Sequence, residues 1–122
     1  MTLTLLHDRL ATTALLYMIL LGIWGLWRYF RGQSIEGSFW GALVIAELVL
    51  IVQGLVGGYL YLTGLRPLRG WIHILYGIAS VLVIPGVFAF TNGNSDRRTT
   101  LIYGVALLFL AGLIIRGMVT GG

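Results

Sequence analysis

The two histidines of the chain, His7 and His73, are the side chains best suited to hold a metal centre. Each lies within the first turns of a long apolar stretch, and these stretches are the first and the third along the chain. In an antiparallel bundle the first and third helices begin on the same side, so both imidazoles are expected at one depth. Two imidazoles at one level match the geometry that a six-coordinate haem iron requires, with His7 and His73 as the metal ligands.

The neighbours of the histidines favour a flat, anionic cofactor. Ala11 and Ala14 follow His7 on its helix face, and Gly77 follows His73, so small residues leave room between the helices. Arginines at the same end supply the charged fork that pairs with carboxylates such as haem propionates. These arginines are Arg9, Arg66 and Arg69. Together the residues predict a site for a haem.

Other interpretations of the same residues stay open. A histidine near a helix start can anchor the helix at the headgroup level or cap it, and faces of small residues also serve plain helix packing. Gly54 and Gly58 form a G-x-x-x-G motif that predicts close packing and needs no ligand. The arginines could equally contact lipid phosphates.

Two further polar residues lie within an apolar stretch. Glu47 is placed near the middle of the second stretch, where an acid marks a proton path, a quinone contact or a counter-ion. Its structural alternative is a protonated carboxyl bonded to a hydroxyl on a neighbouring helix. Gln53 is expected to make a hydrogen bond between helices.

The composition places the chain in a membrane. Of its 122 residues 58% are hydrophobic and only 10% are charged, against about 25% in an ordinary soluble domain. This excludes a soluble globular enzyme and a disordered chain. The net charge of +4 comes from scattered arginines, which does not suggest nucleic-acid binding, and with no cysteine a covalent c-type haem is excluded.

Four stretches are long enough to span a bilayer, at residues 5–29, 37–63, 69–91 and 98–119. The connections are short, so sequential helices are antiparallel. We therefore expect one all-α domain, an up-down-up-down four-helix bundle that is integral to the membrane. A multi-pass protein of the prokaryotic cytoplasmic membrane is expected, and the arginines are too evenly divided to orient it.

Three runs resemble the heme A synthase family. Residues 5–11, around His7, are similar to the helix start at which that family has a ligating histidine. Residues 53–58, Gln-Gly-Leu-Val-Gly-Gly, are similar to its Q-G-L-x-G run, and Pro67 precedes His73 as a proline-containing loop precedes the family's second histidine. Members have eight spans in two four-helix halves, each with a histidine pair for one haem, and this chain resembles one half. The resemblance implies haem b on His7 and His73 near the outer face, with the N-terminus outside.

The chain also departs from that family. Thr4 stands where the catalytic half has a glutamate, Asp8 separates His7 from Arg9, and the cysteine pair of many members is absent. Oxidation of a haem methyl group is therefore not expected, and whether the protein is an enzyme is left open.

Three functions are compatible with the sequence. The first is a small membrane cytochrome that transfers electrons to or from a quinone or a membrane redox partner, or that handles haem. The second is a haem-free scaffold subunit of a larger membrane complex, and the third is a small transporter centred on Glu47. Each would have the lipid bilayer as its surroundings, and a homodimer is compatible with each.

Overall fold

The computed structural model of the chain describes residues 2–64 and 70–121, which form four helices and their connections. The helices are α1 (Leu3–Phe30), α2 (Gly37–Leu62), α3 (Trp71–Phe90) and α4 (Arg97–Gly121). All four are long and apolar enough to cross a membrane. The chain is therefore an all-α, multi-pass membrane protein, and the prediction of a four-helix bundle is confirmed.

The helices are arranged as a ring of neighbours. Among the described residues, α1 contacts α2, α2 contacts α3, α3 contacts α4, and α4 closes the ring against α1. The α1–α4 contact is the most extensive. Consequently α1 and α3 occupy diagonal corners of the bundle, and a side chain that joins them must cross its interior.

Glycines allow α1 and α4 to approach each other closely. A Cβ added at Gly25 would lie 3.1 Å from the Cα of Gly104, and one added at Gly104 would lie 3.1 Å from the backbone nitrogen of Leu26. Met18 and Leu107 are buried on the same two helices. Small residues in lipid permit this backbone approach, so the C-terminal half of α1 is committed to helix packing.

The helix α3 is the least buried of the four. Of its residues only Ser80 and Ile84 are buried. Pro85 lies inside the helix, which continues to Phe90. Because proline cannot donate to the preceding turn, its neighbours must accommodate the break. Because so few of its residues are buried, much of α3 faces outward. A groove remains where α3 adjoins α2.

Hydrogen bonds close the end of the bundle away from the histidines. The connection between α1 and α2 is tied to the one between α3 and α4 by a bond from Ile35 N to Ser95 O of 2.8 Å. Arg97 Nε donates to the carbonyl of Tyr29 at 2.8 Å. These contacts fix the relative register of α1 and α4.

The helix ends differ slightly from the predicted spans. The first helix begins at Leu3 rather than residue 5, because the Thr2 hydroxyl accepts from the backbone N–H of Leu5 at 3.1 Å and caps the first turn. The third helix begins at Trp71 rather than residue 69, directly after Gly70, whose φ of 51° is one that glycine tolerates.

Candidate cofactor site

The side chains of His7 and His73 meet in the interior of the bundle. Their ring centres are 6.2 Å apart, and the ring planes are inclined at 72°. Both residues are half-buried. The two histidines therefore lie at one depth, as the sequence predicts. Their rings meet although α1 and α3 occupy diagonal corners of the bundle.

The carbonyl of Gly117, on α4, orients the ring of His73. Nδ1 of His73 lies 2.8 Å from this oxygen. A carbonyl only accepts hydrogen bonds, so Nδ1 of His73 is the donor. Metal-ligating histidines commonly donate one ring N–H to a backbone carbonyl in this way.

The helix α2 positions His7 from the other side. Gln53 Nε2 donates to the backbone carbonyl of His7 at 2.8 Å, which confirms the predicted hydrogen bond between helices. The ring lies on Gly57, where an added Cβ would come within 2.9 Å of its Cε1 atom. Within the described residues, Nδ1 of His7 is buried without a hydrogen-bond partner. Buried polar atoms are nearly always satisfied, so this nitrogen points to a missing ligand or proton partner.

The pair fits a haem better than a bare metal ion. Metal–imidazole bonds of about 2 Å place the centres of two opposed imidazoles about 6 Å apart, close to the observed separation. The described residues contain no group of three or more His, Cys, Asp or Glu side chains that could hold an ion. Two imidazoles are too few for such an ion, whereas a haem, which supplies its own four ring nitrogens, would need only two protein ligands.

The predicted lining residues have different surroundings. Gly77 is exposed on α3, and a Cβ added there would meet no atom of the described residues within 4 Å. Ala11 is half-buried. Ala14 is only 1% exposed and belongs to the hydrophobic core with Met18, so it contributes to helix packing.

The three predicted arginines are described only in part. Arg9 is exposed, near the start of α1 and close in sequence to His7. Arg66 and Arg69 lie outside the described residues.

Glu47 is separate from the histidine pair. It lies in a groove with Trp40, Pro85 and Tyr103, about 15 Å from Gly57 along the axis of α2 at the usual helical rise. The structural alternative for Glu47, a bond to a neighbouring hydroxyl, is not formed among the described residues, where its Oε1 atom is buried without a partner.

Three residues of these sites were not singled out by the sequence. Gly57 carried a signal only as part of the glycine-rich run 53–58. Gly117 acts through its backbone carbonyl, for which no side-chain pattern exists. Tyr103 is one aromatic residue among many in apolar stretches.

Comparisons of the chain with protein-family models, with curated proteins and with solved structures found no match.

Proposed function

We propose that this protein binds one haem b, with His7 and His73 as its two axial ligands. The observation that carries the proposal is the 6.2 Å separation of the two imidazole centres. Two imidazoles at that separation would both reach one haem iron. The resemblance of residues 5–11 and 53–58 to half of a heme A synthase supports the same ligand pair.

The chain's own groups hold the two ligands in place. Gly117 keeps His73 in one tautomer through the 2.8 Å contact at Nδ1, and Gln53 holds the backbone of His7. When bound, the haem would supply reversible one-electron chemistry. Arg9 is exposed near the same end and would provide a cation for a propionate, whereas Arg66 and Arg69 lie outside the described residues.

A role in electron transfer or haem handling is the best match to this arrangement. Thr4, where the related catalytic half has a glutamate, lies exposed at the start of α1, and we propose no oxidation of the haem. We place the protein in the cytoplasmic membrane of a prokaryote, by analogy with bis-histidine four-helix cytochromes. Its redox partner would be a quinone or another membrane protein.

The test is a reduced-minus-oxidised visible spectrum of the protein purified in detergent, with haem quantified as the pyridine haemochrome. About one haem b per chain is expected, with loss of the spectrum in His7→Ala and in His73→Ala. Circular dichroism checks that the variants keep their helices. As a rescue, His73→Gly with added imidazole should regain part of the spectrum.

A haem-free scaffold subunit is the second candidate. It is favoured by α3, which buries only Ser80 and Ile84 and leaves an apolar surface for lipid or a partner helix. A colourless protein, even after expression with a haem precursor, would support this function and reject the first. Co-purification of other membrane subunits would then identify the complex.

A further inference from the structure

A second site lies in the groove between α2, α3 and α4. The groove has a volume of about 390 Å³, within the range of roughly 300–1,000 Å³ that is usual for small-molecule sites. Its walls are almost entirely apolar. The residues that matter to its chemistry are Trp40, Glu47, Pro85, Phe88 and Tyr103.

Two polar atoms in the groove lack the partners that burial demands. Oε1 of Glu47 and the hydroxyl of Tyr103 are both buried without a hydrogen-bond partner among the described residues. Tyr103 is 0% exposed. The Thr91 hydroxyl interacts with Tyr103 but forms no hydrogen bond of normal geometry with it, and it donates its own proton to the carbonyl of Val87 at 2.8 Å.

The bilayer core contains no water that could hydrogen-bond these atoms, so leaving them without a partner costs free energy. A ligand carbonyl at this depth would accept from the Tyr103 hydroxyl or from a protonated Glu47 carboxyl, and a ligand hydroxyl would donate to a Glu47 carboxylate. A lipid acyl chain would satisfy neither.

Aromatic rings form one wall of the groove. The ring of Trp40 lies 6.0 Å from that of Phe88 and 5.8 Å from that of Tyr103, measured between centres, and both pairs are edge-to-face. Aromatic walls of this kind favour a flat ring over a branched aliphatic ligand. The outer side of the groove is formed by exposed apolar residues such as Val44 and Leu48, so an apolar tail could leave toward the lipid.

We propose that this groove binds a lipid-soluble quinone or quinol. The ring of the ligand packs against Trp40 and Phe88, and its oxygens pair with Glu47 and Tyr103. Its isoprenoid tail extends into the bilayer beside α3. The site is about 15 Å along α2 from Gly57 and shares no residue with the histidine pair, so the proposal does not depend on haem binding.

The test is a titration of the full chain in lipid nanodiscs with decylubiquinone, followed by quenching of tryptophan fluorescence. Saturable binding is expected. Glu47→Leu and Tyr103→Phe should each weaken it about tenfold, the effect of losing one hydrogen bond of about 1.4 kcal/mol. Glu47→Gln keeps a donor and an acceptor and should bind within about threefold of the native chain.

Matched controls remove the same groups elsewhere. Tyr59→Phe alters an exposed tyrosine of α2, and Glu36→Gln alters a carboxylate outside the groove; neither should change the affinity. Unsaturable partitioning, or equal affinity in native chain, Glu47→Leu and Tyr103→Phe, would overturn the proposal. So would cross-linking that shows a second copy of the chain seated on Glu47.

The same titration separates this proposal from the haem assignment. In His7→Ala, quinone binding should persist whether or not the protein carries haem. If the native chain proves colourless and still binds the quinone through Glu47 and Tyr103, the function proposed above fails and this site stands. If it is red and the quinone does not bind saturably, the reverse holds.

Discussion

The rings of His7 and His73 lie 6.2 Å apart although their helices occupy diagonal corners of the bundle. The other two helices, α2 and α4, each contact one of the two histidines. From α2, Gln53 holds the backbone of His7, and from α4 the carbonyl of Gly117 holds the ring of His73. Each histidine is therefore oriented by a helix other than its own, and changes on α2 or α4 should alter the pair without removing either imidazole.

Gly57→Ala should weaken haem binding more than it weakens the fold. The new Cβ would lie 2.9 Å from Cε1 of His7, and the ring is the part that can move. Displacing a ligand through its supporting residue lowers affinity by about tenfold or more. Haem titration of the apoprotein measures this. The control is Gly58→Ala on the next residue, where a Cβ meets nothing within 4 Å. Equal affinities in the two variants would show that Gly57 does not support His7.

Gln53→Leu should affect both stability and the haem spectrum, whereas Tyr17→Phe should affect only stability. Gln53 bonds to the carbonyl of His7 at 2.8 Å, and Tyr17 bonds to the carbonyl of Ala42 at 2.7 Å. Both bonds join α1 to α2. Each is expected to contribute about 0.5–1.5 kcal/mol.

The two variants are compared by unfolding in detergent and by the visible spectrum of the holoprotein. A spectrum unchanged in Gln53→Leu would mean that the hydrogen bond fixes the helix but not the ligand. An equal spectral change in Tyr17→Phe would point to a general loosening of the α1–α2 contact.

Gly104→Ala should destabilise the bundle by about 1–3 kcal/mol through overpacking. The added Cβ would lie 3.1 Å from the backbone nitrogen of Leu26, and a backbone atom cannot turn aside. Gly112→Ala on the same helix is the control, since its Cβ meets nothing within 4 Å and alanine favours a helix over glycine. Reversible unfolding in mixed detergent micelles measures both. Gly104→Ala as stable as Gly112→Ala would contradict the close approach.

Sequence patterns predicted the helices well because hydrophobic length is a local property. The four spans follow from counting along one helix at a time, and the shared depth of the two histidines follows from the antiparallel order that the short connections impose. The glycine motif did not. Gly54 and Gly58 were predicted to pack closely, yet a Cβ at either meets no described residue within 4 Å, and Gly57 makes the contact instead.

The reason is that rotation of a helix about its axis is set by its neighbours. When apolar side chains surround a helix on all sides, no pattern tells which glycine faces the interior. The groove at Glu47 shows the same limit, because Tyr103 reaches it from α4 and Pro85 from α3. Such a site exists only when three helices are packed together. The sequence could therefore identify Glu47 but not the residues of α3 and α4 that line the groove with it.

Asp96 gives the bundle a stability that depends on pH. Its carboxylate accepts from the hydroxyl of Thr99 and from the Thr99 backbone N–H, and these bonds hold the pKa of Asp96 below its usual range. A carboxyl with a lowered folded-state pKa stabilises the fold above its unfolded pKa of about 3.9 and loses that contribution as the pH falls through the folded value.

Asp96→Ala should therefore unfold at a lower temperature than the native chain at pH 7, and the gap should narrow below about pH 4, where the native carboxyl becomes protonated. Thermal unfolding followed by circular dichroism from pH 7 to pH 3 measures the gap. Asp96→Asn retains an oxygen that can cap α4 and should keep much of the stability without the dependence on pH. A gap between native and Asp96→Ala that stays constant down to pH 3 would show that the ionised form is not what caps this helix.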